Sequence, residues 1–217
     1  MPAVAEMLKA TEAAVVSRVS LRDVNRVIDE RILPDAFVSV DNGRHVLAGA
    51  CSFISFYFES AKRLTPEERL FAIRTFEPKL ARARSLAWTA LLKEDWTMRD
   101  DFLTIDLAPF LKSASERLSD LSAARELVTT SQDILGGTPV IKGTRVPVYD
   151  VAASVSAGHT VERILEAYPG IDAGKVRLAT IYADANPPRG RPRAATDLPE
   201  GSVIIRDHRV PRLRKAG

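Results

Sequence analysis

Apolar positions in the first forty residues recur at helical spacing and then switch to alternation. After Thr11 the run EAAVVSR reads as a short helix, broken at Val19-Ser20 and followed by LRDVNRVIDERIL up to Pro34. Leu21, Val24, Val27, Ile28 and Leu33 share one side of the second segment, while Arg22, Asn25, Arg26 and Asp29 fall largely on others. Ser20, with Asp23 three positions on, forms a capping arrangement that satisfies free amide groups at a helix start; Thr11 is expected to cap the first helix. Pro34 is expected to end the second. Phe37 to Val40 and His45 to Leu47 have strand character around Asn42-Gly43, a pair that accepts the positive φ angles of a tight hairpin, so a wing beside the helix pair is expected.

Farther along, Thr65-Pro66-Glu67-Glu68 opens a helix with a capping threonine, a first-turn proline and acids at the positive end of the dipole. Pro78 is expected to kink or divide it. Phe102 to Leu107 alternates like a strand, and Ala108 to Leu127 reads as an amphipathic helix with Leu111, Leu118, Leu121 and Leu127 inward. Turn signals at Gly136-Gly137 and Gly143-Thr144 frame Pro139 to Ile141, with Arg145 to Val148 as its hairpin partner. Three short helices follow: Tyr149 to Ala157, stopped by Gly158; Val161 to Tyr168, capped by Thr160; and Ala173 to Ala185, capped by Asp172. Two prolines, Pro187 and Pro188, then forbid continuation.

These elements predict a mainly α fold with short β-hairpins, organised as two winged-helix or helix-turn-helix-like units. The expected division is an N-terminal domain over 1–107, a connecting helix over 108–127, a second unit over 128–185 and a basic tail over 186–217. In a helix-turn-helix the second helix enters the major groove with residues near its start facing base edges. Arg22, Asn25 and Arg26 are side-chain types suited to guanine and adenine there. In the second unit, Lys175 and Arg177 near the start of the last helix are the candidate phosphate or base contacts. The same spacing also describes ordinary packed helices with a solvated polar face, and both readings stand at this point.

Composition changes the picture only through where charge sits. The chain is 46% hydrophobic and 27% charged with a net charge of +3, values of a soluble globular protein. From Asn186 onward there are eight basic residues against three acidic ones, so the tail carries +5 and the body −2. The longest stretch without a charge, Val46 to Phe58, has 13 residues, short of the roughly 20 needed to cross a bilayer. Glu6 falls where a secretory signal would need apolar residues, so a cytoplasmic location with no membrane association is expected. The single cysteine, Cys51, lies in an apolar run and is expected to be an inert buried thiol.

Enzyme chemistry finds little foothold. His45, His159 and His208 lie far apart without metal-ligand spacing, so neither metal nor cofactor is expected. Gly136 to Thr144 lacks the Gly-Lys-Ser/Thr order of a phosphate loop, since Lys142 precedes Gly143. The adjacent acids Asp100-Asp101 and Glu67-Glu68 point to different sides of any regular element and make no acid/base pair. A non-catalytic protein is expected.

The stretch ILGGTPVIKGTRVPV over 134–148, with AGHTVERILEAYP and GRPR after it, resembles domain of unknown function family 433 over roughly residues 126 to 193. The N-terminal half also looks like the helix-turn-helix region of longer members, and Lys142 stands where members often carry Arg. That family is similar to VapB-type antitoxins. The resemblance implies a DNA-binding antitoxin that inhibits a PIN-domain ribonuclease toxin and represses its own operon, a homodimer on palindromic operator DNA. It also implies that a tail arginine could pair with the acidic side chains that hold magnesium in such a nuclease. Arg189, Arg191, Arg193, Arg206, Arg209, Arg212 and Arg214 are the toxin-binding candidates, with phosphate neutralisation on DNA as the other use of the same charges. A stand-alone DNA-binding regulator and an adaptor that binds only proteins are the alternative readings.

Overall fold

Side-chain caps start four of the α-helices, at Ser20, Thr65, Thr160 and Asp172, and a few long-range polar contacts hold elements together. The computed structural model of the chain describes residues 3–100 and 103–188. It is mainly helical with small antiparallel sheets. Strand β1 (Met7–Lys9) leads into helix α1 (Ala10–Ser17), and α2 (Leu21–Asp29) follows after three residues. The Ser20 hydroxyl accepts a hydrogen bond from the Asp23 amide at 3.1 Å, and the Asp23 carboxylate accepts from the Ser20 amide in return. Val24 and Val27 are buried as their spacing predicts, but Leu21 is exposed.

Both helices end where an arginine turns left-handed. Arg18 and Arg31 have φ of 52°, and the amides after each bond back into the helix: Val19 to the Ala14 carbonyl, Ile32 to the Val27 carbonyl. This closure, usually made by glycine, ends α2 at Asp29, so Pro34 is not the terminator that the sequence predicts. The hairpin also differs from expectation. Strands β2 (Val38–Ser39) and β3 (His45–Leu47) pair, but the connection is five residues long and only Gly43 takes a positive φ, 101°. Strand β1, which the sequence pattern does not reveal, pairs with the other edge of β3 and completes a sheet of order β1-β3-β2.

Behind this sheet lies α3 (Cys51–Glu59), nearly all of it buried. Phe53 meets Phe37 edge to face at 5.9 Å. Burying a phenylalanine side chain stabilises by about 2–3 kcal/mol. Helix α4 (Pro66–Arg82) starts at the Thr65–Glu68 capping box and runs through Pro78 without being divided by it. Pro78 and Arg74 are both exposed, so water can take the carbonyl bond that the proline leaves unmade. The short α5 (Trp88–Leu91) precedes the hairpin of β4 (Thr97–Asp100) and β5 (Leu103–Asp106).

Helix α6 (Ala108–Leu127) buries Leu111, Leu118 and Leu121 in this first apolar cluster, while Leu127 packs against a second one. The second cluster joins β6 (Val128–Thr129), β7 (Val140–Ile141), α7 (Val148–Ser156), α8 (Val161–Ala167) and α9 (Ala173–Ala185). Here β7 pairs with β6. The expected partner, Arg145 to Val148, also pairs with β7, through an antiparallel bridge between Val140 and Pro147 and through bonds from the Ile141 amide to the Val146 carbonyl and from the Val148 amide to the Pro139 carbonyl.

Helix α9 packs against α6, α7 and α1, and Ala185 at its end is buried in the first cluster. Thr11 does not cap α1, which begins one residue earlier; its hydroxyl donates instead to the Ala185 carbonyl at 2.6 Å. Beside it, Glu12 is 5% exposed and accepts from the Lys9 amide, and Arg125 of α6 reaches Glu12 at 2.9 Å and Glu6 at 2.5 Å. Replacing Arg125 with Met strands the Glu12 carboxylate, so stability should fall by about 2 kcal/mol, less than for a wholly buried pair because the guanidinium is a third exposed. Urea unfolding measures this, and an unchanged midpoint would count against the pair as a structural tie.

Candidate nucleic-acid interface

Helix α2 and the residues flanking it present an exposed polar surface. An open depression of about 670 Å³ is lined by Ser20, Arg22, Asp23, Asn25, Arg26, Asp29 and Glu30. The sequence-predicted trio of Arg22, Asn25 and Arg26 is therefore brought together on one side of α2, with Val24 and Val27 anchoring the opposite side in the core. Arg22, Arg26 and Asp29 follow the i, i+4, i+7 progression of one helix face.

Two of the cations on this face already have partners. The Arg26 Nε donates to both Glu30 carboxylate oxygens at 3.0 Å, which raises the guanidinium pKa through the hydrogen bond and the neighbouring charge. Arg44, from the loop joining β2 and β3, forms a two-pronged pair with Asp29 at 2.8 and 3.1 Å. The hairpin is thus tied to the end of α2 by charge. Sequence reasoning missed Arg44, whose partner is 15 residues away; the Arg26–Glu30 pair was readable from its i, i+4 spacing. Arg18 and Arg31 bracket α2 and are exposed.

Lys175 and Arg177 do not line this depression. Arg177 is held by Asp120 of α6, one arm at 2.9 Å, and Lys175 lies 3.7 Å from Asp172, the residue that caps its own helix. Arg189, Arg191, Arg193, Arg206, Arg209, Arg212, Arg214 and His208 lie outside the described residues.

The most distinctive stretch of sequence builds scaffold. Leu135, Gly136 and Gly137 take positive φ in succession, and a side chain on Gly137 would meet Gln132 at 3.2 Å. The Thr144 hydroxyl donates to the Ile141 carbonyl and accepts from the Val146 amide, closing the turn after β7. Lys142 and Arg145 remain exposed on that turn. Cys51 is fully buried, and burial pushes its thiol up to about 12, so it stays protonated and unreactive. Among the described residues no group of three or more His, Cys, Asp or Glu could hold a metal ion, and no helix is long and apolar enough to cross a membrane.

A family described as a protein of unknown function, DUF433, matches residues 128–183, from the start of β6 into the last turn of α9. The chain is 76% identical over 217 residues, 100% of its length and 98% of the other's, to a protein named "Uncharacterized protein y4eO" from Sinorhizobium fredii (strain NBRC 101917 / NGR234). No solved structure matches the chain.

The left-handed arginines that bracket α2 generate a stability prediction. A non-glycine residue at such a position costs about 1–2 kcal/mol, partly offset by the extra chain entropy that glycine must lose. Arg18→Gly and Arg31→Gly should each stabilise the protein by about 0.5–1 kcal/mol, read as a higher urea midpoint with an unchanged slope. A lower midpoint for either would show that its side chain contributes more to the fold than the backbone strain removes.

Proposed function

We propose that this chain, which belongs to the same family as the y4eO protein and carries a DUF433 segment within it, is a DNA-binding antitoxin. In this reading it represses its own operon as a homodimer and inhibits a PIN-domain ribonuclease through its basic C-terminal tail. One observation carries the DNA-binding part. Arg22, Asn25 and Arg26 converge on the exposed side of a capped helix pair whose inner side is buried, with the hairpin arginine Arg44 alongside. In this reading β1, α1, α2 and the β2–β3 hairpin act as a winged-helix unit, α2 lies in the major groove and the hairpin rides on the flanking backbone. Arginine can read the two acceptors of guanine and asparagine the paired donor and acceptor of adenine. The toxin-binding part is supported by the likeness of the DUF433 family, which residues 126–193 resemble, to VapB-type antitoxins, and by the +5 charge beyond residue 185.

A specific observation favours the rival reading, an adaptor that binds only proteins. The depression carries two arginines against three acids, so even with Arg44 it has no net positive charge, whereas a DNA-binding surface ordinarily has one. Salt dependence separates the two, because phosphate contacts release counterions and protein contacts of this kind release few.

Two outcomes are expected. Arg22→Ala and Arg26→Ala should each weaken binding to a duplex taken from upstream of the chain's own gene by about ten-fold, without changing toxin binding. Anisotropy titration reads this, and unchanged affinity would move recognition to Lys175 and Arg177. A chain ending at Pro188 should keep its fold and its DNA contact yet fail to silence the ribonuclease encoded beside it. A truncated chain that still co-purifies with that nuclease and blocks RNA cleavage would remove the tail from the mechanism.

A further inference from the structure

The acids on the α2 face are in the wrong place for stability. Asp29 and Glu30 stand at the C-terminal end of α2, where the helix dipole is negative and carboxylates are disfavoured. Each is exposed and each holds one arginine, Glu30 through Arg26 and Asp29 through Arg44, with side chains roughly half exposed in both pairs. Exposed pairs of this kind add little to folding. Departures from local preference without a gain in stability gather where a molecule works. Arg22 has no such partner among the described residues, and Asp23 is committed to the Ser20 cap.

We propose that Asp29 and Glu30 are specificity-determining residues of the DNA site: as surrogates for phosphate they hold Arg44 and Arg26 and release them only to DNA that offers a better-fitting acceptor. This inference rests on the DNA-binding reading and deepens it. A carboxylate and a phosphate present the same pair of oxygens to the guanidinium fork, so the two compete directly for each arginine. On DNA of arbitrary sequence the exchange gains nothing, because one anion replaces another and an acid is left facing the phosphate backbone. On a matching site, base-edge contacts by Arg22 and Asn25 fix the helix in register, and Arg26 and Arg44 transfer to base or phosphate acceptors held at bonding distance. The acids therefore lower affinity for all DNA, and lower it most where the register is wrong.

The test is the full-length chain with Asp29→Asn, Glu30→Gln and both together, titrated by anisotropy against the upstream duplex and a scrambled duplex of equal length at several salt concentrations. Each single variant should bind the scrambled duplex about three- to ten-fold more tightly, and its salt slope there should steepen by about 0.9 per released arginine. The ratio of upstream to scrambled affinity should fall, most in the double variant. Arg44→Ala should weaken scrambled binding more in the Asp29→Asn background, where Arg44 is free, than in the parent, where Asp29 already holds it; a general charge effect would give the same loss in both. If the acid variants leave both affinity and slope unchanged while Arg22→Ala still weakens upstream binding, this inference fails and the DNA reading stands. If neither the parent nor any variant binds either duplex, the DNA reading fails and takes the inference with it.

Discussion

A carboxylate buried near the start of the chain sets the terms for the rest of the fold. The Glu12 side chain completes the first turn of α1 by accepting the Lys9 amide, and a carboxylate at that depth needs a cation. Arg125 supplies it, and in doing so fixes the far end of α6 against the β1–α1 junction. One residue before Glu12, Thr11 binds the last carbonyl of α9. The two neighbours thus hold the two elements that flank the matched segment, its incoming helix and its final one. The segment has its own apolar cluster, and α6 and α9 contribute residues to both that cluster and the N-terminal one.

With that frame rigid, α2 can present a polar face whose charges are balanced by design of the chain and not by solvent alone. Val24 and Val27 hold the helix down, the Ser20–Asp23 box fixes its start, and the left-handed Arg31 fixes its end. Such a platform supports the positional accuracy that base recognition demands, since contacts made from a rigid element tolerate little misplacement. The hairpin joins the platform through β3, whose other edge is occupied by β1.

Features written within a few residues were readable from the sequence; features written across the chain were not. The caps at Ser20, Thr65, Thr160 and Asp172 all function as their local spacing predicts. So do the bounds of α6 and α9, where long runs of helical periodicity meet clear stop signals. Strands β1, β4 and β6 escaped because two to four residues carry no period of their own and exist only through partners elsewhere. Thr11 was misread for the opposite reason: a residue with good local capping chemistry was claimed by an acceptor 174 positions away. At the candidate site the cationic and amide residues of α2 were visible. The pairing of Asp29 with Arg44 was not, because the hairpin that brings them together is a tertiary event.

The reach of the Thr11 and Arg125 contacts has a consequence for how the protein is made. The acceptor for Thr11 follows it by 174 residues and the arginine for Glu6 follows by 119. At ordinary elongation rates the longer interval is on the order of ten seconds or more; Glu6 and Glu12 lack Arg125 for the earlier part of it, and Thr11 lacks the α9 carbonyl until its end. The first apolar cluster therefore stays incompletely closed until α9 has emerged, and a stall before α9 would leave it without Ala185 and without the Thr11 contact.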